Sequence, residues 1–402
     1  MSIQELITAD GAALLASLPP YQPEDAFKLN TQLRKEGFTA NLIAAALTQN
    51  RLRAKALGKF PPELCRRMLF TADGIEQATR HTIAQQHAKY LQQFGLTSII
   101  DFGCGIGADA LAFAAAGLDL TAIEMDADTA AAAAHNLAPY PHANVINADG
   151  MQLDLHSFAA DAVWIDPARR KNGKRILNPE KWLPALSDAI ALARKWKAAG
   201  IKVAPGISYT DLPEDAFVTW ISDNGDLLEA VIWLGAAAPA SGRAAWIMPQ
   251  NPNGNSSLQL LQSNLNPQTE PVFCEARELG SYLYEPDSAI IRAGLIHQLA
   301  EQYQLAPISP KIAYLTGDTA INSPYLTRFQ ICDVLPLNAK KARKALKALE
   351  IGIVEIKIRG SDISPEKFRQ ALALDSRHQR SATLIATQVM GKHQLILAER
   401  CR

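Results

Sequence analysis

A run of acidic residues and glycines in the first half of the chain is spaced for ligand chemistry. Asp101 stands two residues before Gly103, and Gly103, Gly105 and Gly107 alternate with Cys104 and Ile106. Glu124 closes the next apolar run, Asp149 follows the one after that, and Asp166-Pro167 ends a fourth. Glycines at these positions let the backbone turn tightly and come close to a ligand. A helix expected from about Asp109 to Gly117 would face its N-terminal amides toward that ligand.

Two ligand classes use such a layout, and charge separates them. A dinucleotide brings a pyrophosphate to the glycine loop, where an acid at the strand end is unwelcome. S-adenosylmethionine has no phosphate and carries an ammonium and a sulfonium, so Asp101 suits it. Glu124 can accept hydrogen bonds from ribose hydroxyls in either case. Gly103-x-Gly105-x-x-Ala108 also fits the loose dinucleotide fingerprint, so that alternative stays open.

These residues need a parallel sheet to hold them. The apolar runs at Ile99–Phe102, Leu118–Ile123, Asn144–Asn147 and Ala162–Ile165 suit buried parallel strands, and the Ala-rich segment Ala127–Asn136 is a strong helix former between two of them. The spacing predicts a helix from Pro179 to Ala199, with Trp182, Leu186, Ile190, Ala193 and Trp196 on one face, ended by Gly200. A fifth strand is expected at Ile201–Ala204. Phe217–Ser222, Leu227–Leu234 and Ala244–Met248 read as strands, the first two joined by a turn at Asp223-Asn224-Gly225-Asp226.

Asp101-x-Gly103-x-Gly105-x-Gly107, Glu124, Asp149 and Asp166-Pro167 resemble, in order and spacing, the successive motifs of the class I S-adenosylmethionine-dependent methyltransferases, over about residues 96–205. The whole chain resembles a bacterial group of methyltransferases with a C-terminal THUMP-like domain. That likeness rests on Phe70-Thr71-x-Asp73-Gly74-x-Glu76-Gln77-Ala78-Thr79, Asp166-Pro167-Ala168-Arg169-Arg170, Tyr284-Glu285-Pro286 and Lys357-Ile358-Arg359-Gly360. The resemblance implies an α/β fold: a Rossmann-like methyltransferase sheet, an N-terminal helical domain and a small C-terminal α/β domain. It implies S-adenosylmethionine as cofactor, held by Asp101, Gly103, Cys104, Gly105, Gly107, Glu124, Met125, Asp149, Gly150, Met151 and Asp166. Within that set Asp149 would meet the adenine amino group and Met151 would lie on the ring. It also implies that Thr71, Glu76, Gln77 and Arg80 approach the cofactor.

Asp166 and Pro167 are the expected catalytic residues, since ligands of open α/β sheets bind outside the carboxyl ends of the strands. Methyltransferases acting on amines of nucleic-acid bases resemble this site, but they carry Asp or Asn, then Pro-Pro, then an aromatic. Here Ala168 replaces the second proline and Arg169 the aromatic, which leaves the methylated atom open. Arg169 can stack on a base or grip a phosphate, and Arg169-Arg170-Lys171-Asn172-Gly173-Lys174-Arg175 forms a basic loop beside the expected site. Uracil-C5 RNA methyltransferases are similar in layout and place a cysteine near the fifth strand end. Val203-Ala204-Pro205-Gly206-Ile207-Ser208 has none, which disfavours thiolate attack on a pyrimidine.

At 402 residues, 48% hydrophobic and 20% charged, the chain is an ordinary globular sequence of two or three domains. The expected division is a helical domain over 1–90, the methyltransferase domain over 91–250, a connecting segment over 251–327 and the THUMP-like domain over 328–402. Pro249 to about Gln268 reads as a linker, Glu278–Tyr284 as a strand and Ser288–Gln304 as a helix; this connecting segment is expected to complete a second small sheet with the C-terminal domain. In the last domain strands are expected at Phe329–Leu335, Ile353–Ile358, Ala382–Gln388 and Gln394–Glu399. Helices are expected from Asn338 to Glu350 and over Pro365–Leu372. No run of about 18 apolar residues occurs, the N-terminus does not read as a signal peptide, and no cysteine pair or metal-ligand spacing is present. Five scattered cysteines fit a reducing cytoplasm.

The formal net charge is zero, yet Gln330–Arg402 holds 14 Lys/Arg against 7 Asp/Glu. A basic module on an acidic body suggests a polyanionic partner, and THUMP domains bind RNA. The expected activity is RNA base methylation. The alternatives are a methyltransferase acting on a small molecule or protein, an NAD-dependent oxidoreductase, and a cofactor-binding scaffold without catalysis.

Overall fold

Threonines placed one residue ahead of helical segments start much of the N-terminal structure. Thr8, Thr39 and Thr71 each accept a hydrogen bond from a first-turn N–H, capping α1 (Ala9–Ser17), α3 (Ala40–Ala56) and α5 (Ala72–Gln77). Between and after them lie α2 (Ala26–Lys35), α4 (Pro62–Arg67) and α6 (His81–Gln92). The computed structural model describes residues 3–171, 174–248, 257–272, 274–374 and 377–401. The chain divides into two compact units, Met1–Val203 with Val231–Pro239, and Ala204–Ala230 with Ala240–Arg402.

In the first unit the helices precede a sheet built from β1 (Ser98–Phe102), β2 (Asp119–Glu124), β3 (Ala143–Asn147), β4 (Ala162–Ile165) and β7 (Ala198–Val203). Helices α7 (Ala108–Ala115) and α8 (Ala127–Leu137) make the first two crossovers. All of these strands run parallel, in the order β7-β4-β1-β2-β3, and the Val231–Gly235 half of β9 (Asp226–Gly235) flanks β7. The order reverses between β1 and β4, so the crevice for a ligand opens at the carboxyl ends of those two strands. A short antiparallel hairpin, β5 (Arg170–Lys171) and β6 (Lys174–Arg175), follows β4. Asn172 and Gly173 of the basic loop lie outside the described residues.

The long helix expected over Pro179–Ala199 does not form. Pro179–Lys181 makes a single 3-10 turn, Ala168 and Leu183 exchange backbone hydrogen bonds, and α9 spans only Leu186–Ala193. Pro184 explains the break: it lacks an N–H and pushes Leu183 out of helical geometry. The strand that follows begins at Ala198, so Gly200 sits inside β7 rather than ending a helix. Its role is packing. A Cβ there would lie 2.6 Å from the ring of Trp164 and 2.9 Å from that of Trp233. Both tryptophans are fully buried, 5.7 Å apart, with His87 4.6 Å from Trp164.

In the second unit β8 (Phe217–Asp223) runs parallel to β10 (Gly242–Met248), and β11 (Gln259–Ser263) pairs antiparallel with β10. Part of the expected linker is therefore an edge strand; residues 249–256 lie outside the described set. The helix expected over Ser288–Gln304 is divided into α10 (Ser288–Ala293) and α11 (Ile296–Tyr303) by Gly294, at φ 72°. A Cβ on Gly294 would sit 2.8 Å from the buried Arg243 guanidinium, so glycine is required there.

The connecting segment and the C-terminal region share one seven-stranded sheet. It holds β12 (Tyr282–Pro286), β13 (Ala306–Pro307), β14 (Leu315–Gly317), β15 (Leu326–Pro336), β16 (Ile351–Ile358), β17 (Arg380–Val389) and β18 (Lys392–Arg400), in the order β13-β14-β12-β15-β18-β17-β16. One face packs α12 (Ala339–Ala348) and α13 (Pro365–Leu372) over Ala342, Leu346, Phe368 and Leu384. The other face buries Leu283, Ile308, Phe329 and Ile396. Glu285 on β12 and Lys357 on β16 are four strands apart, about 19 Å on a flat sheet, yet their charged atoms meet at 2.7 Å. The sheet must therefore curl. Arg359 joins the same clasp, 3.6 Å from Glu285, and Met390 closes it by donating its N–H to the Ile308 carbonyl. Tyr284-Glu285-Pro286 and Lys357-Ile358-Arg359-Gly360 thus have a structural reason to be what they are.

Replacing Gly200 with alanine is expected to overpack the tryptophan pair and cost about 1–3 kcal/mol. Urea unfolding checks it: the midpoint should fall with an unchanged slope, and a shift inside experimental error would contradict the packing described.

Candidate active site

The turn after β1 needs glycine for local reasons. Gly103, Gly105 and Gly107 have φ of 80°, 57° and 85°, the left-handed region that side chains avoid. Their amides are used in different ways. Gly103 and Cys104 donate to the Ile123 carbonyl at the end of β2, and Gly107 donates to the Cys104 carbonyl. Gly105 donates to Glu124 Oε2 at 3.0 Å, while Asp126 N–H donates to Glu124 Oε1 at 2.9 Å. A carboxylate has about four acceptor positions, so Glu124 holds the turn and keeps capacity for further donors. A Cβ on Gly103 would lie 3.0 Å from the Asp166 carbonyl, and one on Gly105 would meet nothing within 4 Å. The first glycine thus serves close approach of β1 to β4, and the second leaves an open cradle.

Beneath this turn lies a buried polar cluster. Lys202, on β7, donates from Nζ to Asp166 Oδ2 at 2.6 Å and to Thr79 Oγ1 at 2.8 Å, and stands 3.8 Å from Asp109 Oδ2. Asp109, in the first turn of α7, takes the Thr79 hydroxyl at 2.6 Å and His87 Nδ1 at 2.9 Å. Burial opposes ionisation of Asp109, yet the His87 hydrogen bond and the Lys202 ammonium hold its carboxyl below the ordinary range. Asp101 is 1% exposed and its Oδ2 has no hydrogen-bond partner. Burial, with Asp109 and Asp166 nearby, pushes its carboxyl well above the ordinary carboxylate range. Burial likewise pushes the Cys104 thiol well up, so it is no nucleophile.

The remaining expected site residues lie at the ends of neighbouring strands. Met125 and Met151 are exposed apolar side chains following β2 and β3. Asn147 ties the two loops by donating to the carbonyls of Glu124 and Met125. Asp149 accepts from the Met151 N–H, and Gly150 is packed so tightly against the Phe102 ring that a Cβ would clash. Pro167 is buried, Asp166 keeps 26% of its side chain exposed, and Arg169 is half-buried. Arg170, Lys174 and Arg175 are exposed on the hairpin.

The N-terminal layer reaches this centre at Thr79 and at α5, where Gly74 lies against the Ile106 side chain of the glycine turn. Glu76 and Gln77 are exposed, Glu76 paired with Lys55 at 3.0 Å, and Thr71 caps α5. Thr79 enters the buried cluster instead. Asn136, on α8, receives the Leu69 N–H and donates to the carbonyls of Leu69 and Ile106, binding the extended segment before α5 to the glycine turn. Gln49 grips Phe70 in the same two-way manner. Lys202, Asp109 and His87 belong to none of the sequence motifs quoted above. The available signals were a lysine inside an apolar strand and an aspartate in an alanine-rich helix.

An open glycine cradle, an orphaned buried carboxylate oxygen, acceptors at two strand ends and two exposed methionines fit S-adenosylmethionine. Comparison with known proteins agrees. Residues 99–178 match a methyltransferase domain family, residues 326–400 a THUMP domain-like family and residues 1–56 a domain of unknown function. An uncharacterized S-adenosylmethionine-dependent methyltransferase of Mycobacterium tuberculosis, found in two strains, is 31% identical over 363 residues, covering 87% of this chain and 94% of its own. The crystal structure of a putative methyltransferase from Porphyromonas gingivalis W83 shares the fold over the full length of both chains, with a TM-score of 0.76 at 18% identity.

Lys202→Met is expected to leave Asp166 and Asp109 without their ammonium and to cost about 3–5 kcal/mol at neutral pH. The sign with pH is fixed by Asp109. Its lowered carboxyl stabilises the native protein above the unfolded value of about 3.9, and that stabilisation fades as pH falls through the native value. The deficit of the variant should therefore shrink toward acid pH. Unfolding curves across a pH series measure it, and a pH-independent difference would speak against the ion pair.

Proposed function

The chain belongs to the S-adenosylmethionine-dependent methyltransferases, and on that premise we propose that it methylates a base in RNA, with Asp166 and Pro167 receiving the target. S-adenosylmethionine is the cofactor and supplies the methyl group. The observation that carries the RNA reading is the basic hairpin: Arg170, Lys174 and Arg175 are exposed on the segment leaving Asp166-Pro167. Phosphate contacts from such a loop position a nucleic acid without reading its sequence. The THUMP domain-like match over 326–400 supports the same reading, as do five exposed cations on α12: Lys340, Lys341, Arg343, Lys344 and Lys347.

The proposed division of labour follows from where the donors and acceptors stand. Lys202 occupies Asp166 Oδ2, fixing the carboxylate so that its other oxygen can accept a hydrogen bond from the target base. Methyl transfer needs the nucleophile in line with the donor methyl, so positioning is the main contribution of these side chains. Asp101 with its unpartnered oxygen would face a cationic part of the cofactor. Glu124 would take ribose hydroxyls, Asp149 the adenine amino group, and Met125 and Met151 the ring faces. The backbone of Gly103, Cys104, Gly105, Gly107 and Gly150 would supply the close walls.

Two measurements test this. Labelled S-adenosylmethionine is incubated with total RNA from cells lacking the protein. Label should enter ribonuclease-sensitive material, and Asp166→Ala should lower it about a hundredfold. Label confined to protein or small molecules would overturn the RNA reading. Calorimetry tests Asp101. A cation arriving beside a carboxyl held high by burial displaces its proton, so affinity should rise with pH. The heat should also depend on the ionisation enthalpy of the buffer. Asp101→Asn should weaken binding at least tenfold and abolish that dependence.

A further inference from the structure

The second unit contains a cavity of about 630 Å³ that the foregoing does not use. Its walls come from distant parts of the chain: Ile207 and Tyr209 from the segment following β7, Glu270 from the segment after β11, Ser288 and Arg292 from α10, and Arg359 from the residue after β16. The segment Gly206–Tyr209 starts three residues beyond Val203, the last residue of β7, and lies within the second unit with the other walls.

The walls are held rigidly. Tyr209 donates its hydroxyl to the Arg292 carbonyl at 2.7 Å. The fully buried Arg243 guanidinium lies 3.8 Å from the Tyr209 ring centroid and donates to the carbonyls of Pro267 and Thr269, fixing the approach to Glu270. Arg359 donates to the Ala313 carbonyl at 2.9 Å, and its guanidinium lies 4.9 Å over the Tyr314 ring. Arg292 is exposed at the rim. Arg292 and Arg359 bring two guanidiniums to the cavity beside Glu270, with the charge of Arg359 shared with Glu285 of the clasp. A guanidinium fork matches phosphate oxygens, and an aromatic ring beside an aliphatic wall accepts a base face.

We propose that this cavity seats one nucleotide of the RNA substrate, its phosphate on Arg292 and Arg359 and its base against Tyr209 and Ile207. The clasp residue Arg359 then has a second task, because the C-terminal sheet supplies part of the substrate pocket itself. This inference rests on the RNA reading above, and its test separates the two.

Binding of a fluorescent random-sequence oligoribonucleotide is followed by anisotropy over a salt series, with S-adenosylmethionine affinity and melting temperature as controls. Arg292→Gln should weaken binding about tenfold and flatten the salt dependence by about one charge, with both controls unchanged. Glu270→Gln should tighten binding. A mixture of nucleoside 5′-monophosphates should compete poorly, since one nucleotide supplies only one of the contacts. Wild-type binding that Arg292→Gln leaves unaltered would overturn the cavity assignment and leave the RNA reading standing. Tight monophosphate binding lost in Arg292→Gln, without RNA binding, would overturn the proposal in favour of a free nucleotide. No RNA binding by the wild type even at low salt would overturn both.

Discussion

One buried ammonium serves the carboxylates on which the first unit depends. Lys202 is 3% exposed, and Asp166 and Asp109 stand within 4 Å of it, with Asp101 close enough to feel both acids. Removing such charges from water is expensive, and it is offset only where geometry is good and the remaining lone pairs are filled. Thr79 and His87 do that filling for Asp109. The arrangement leaves a single oxygen of Asp101 unanswered. Acidity is thereby concentrated under a glycine turn, an environment that favours a cationic ligand over a phosphate.

The sheet was legible in the sequence because its signals are local. Apolar runs ended by Asp101, Glu124 and Asp166, with glycines where the left-handed region is needed, locate β1, β2 and β4 to within a residue. What was not legible depended on partners distant in the chain. Pro184 broke an amphipathic pattern that would otherwise read as one long helix, and Gly200, taken for a helix terminator, proved to be the space between two tryptophans. Lys202 looks like a surface residue until β7 is placed beside β4. Thr79 could be quoted as part of a motif, but nothing in a string of letters distinguishes it from the exposed Glu76 and Gln77.

The C-terminal half shows the same division. Individual strands and both helices follow from alternation and capping, with Asn338 and Ser364 as caps. That β12 to β14 belong to the same sheet as β15 to β18 was suggested by the connecting segment; the curl of that sheet was not. It appears only once Glu285 is seen to meet Lys357 and Arg359 across four strands. The basic balance of this region is also redistributed by folding. Lys357 and Arg359 turn to Glu285 in the clasp, while α12 carries its cations into solvent.

Asn136 has a consequence for how such a protein can be inherited. Its one side chain spans the extended strap at Leu69 and the glycine turn at Ile106, so the helical layer and that turn share a rivet. The parallel sheet here is not a cassette that could be lifted out and attached to another partner. Recombination that separated residues before Thr79 from those after it would strip the turn of its backing and open the lysine cluster to water, so the two segments are constrained to travel together.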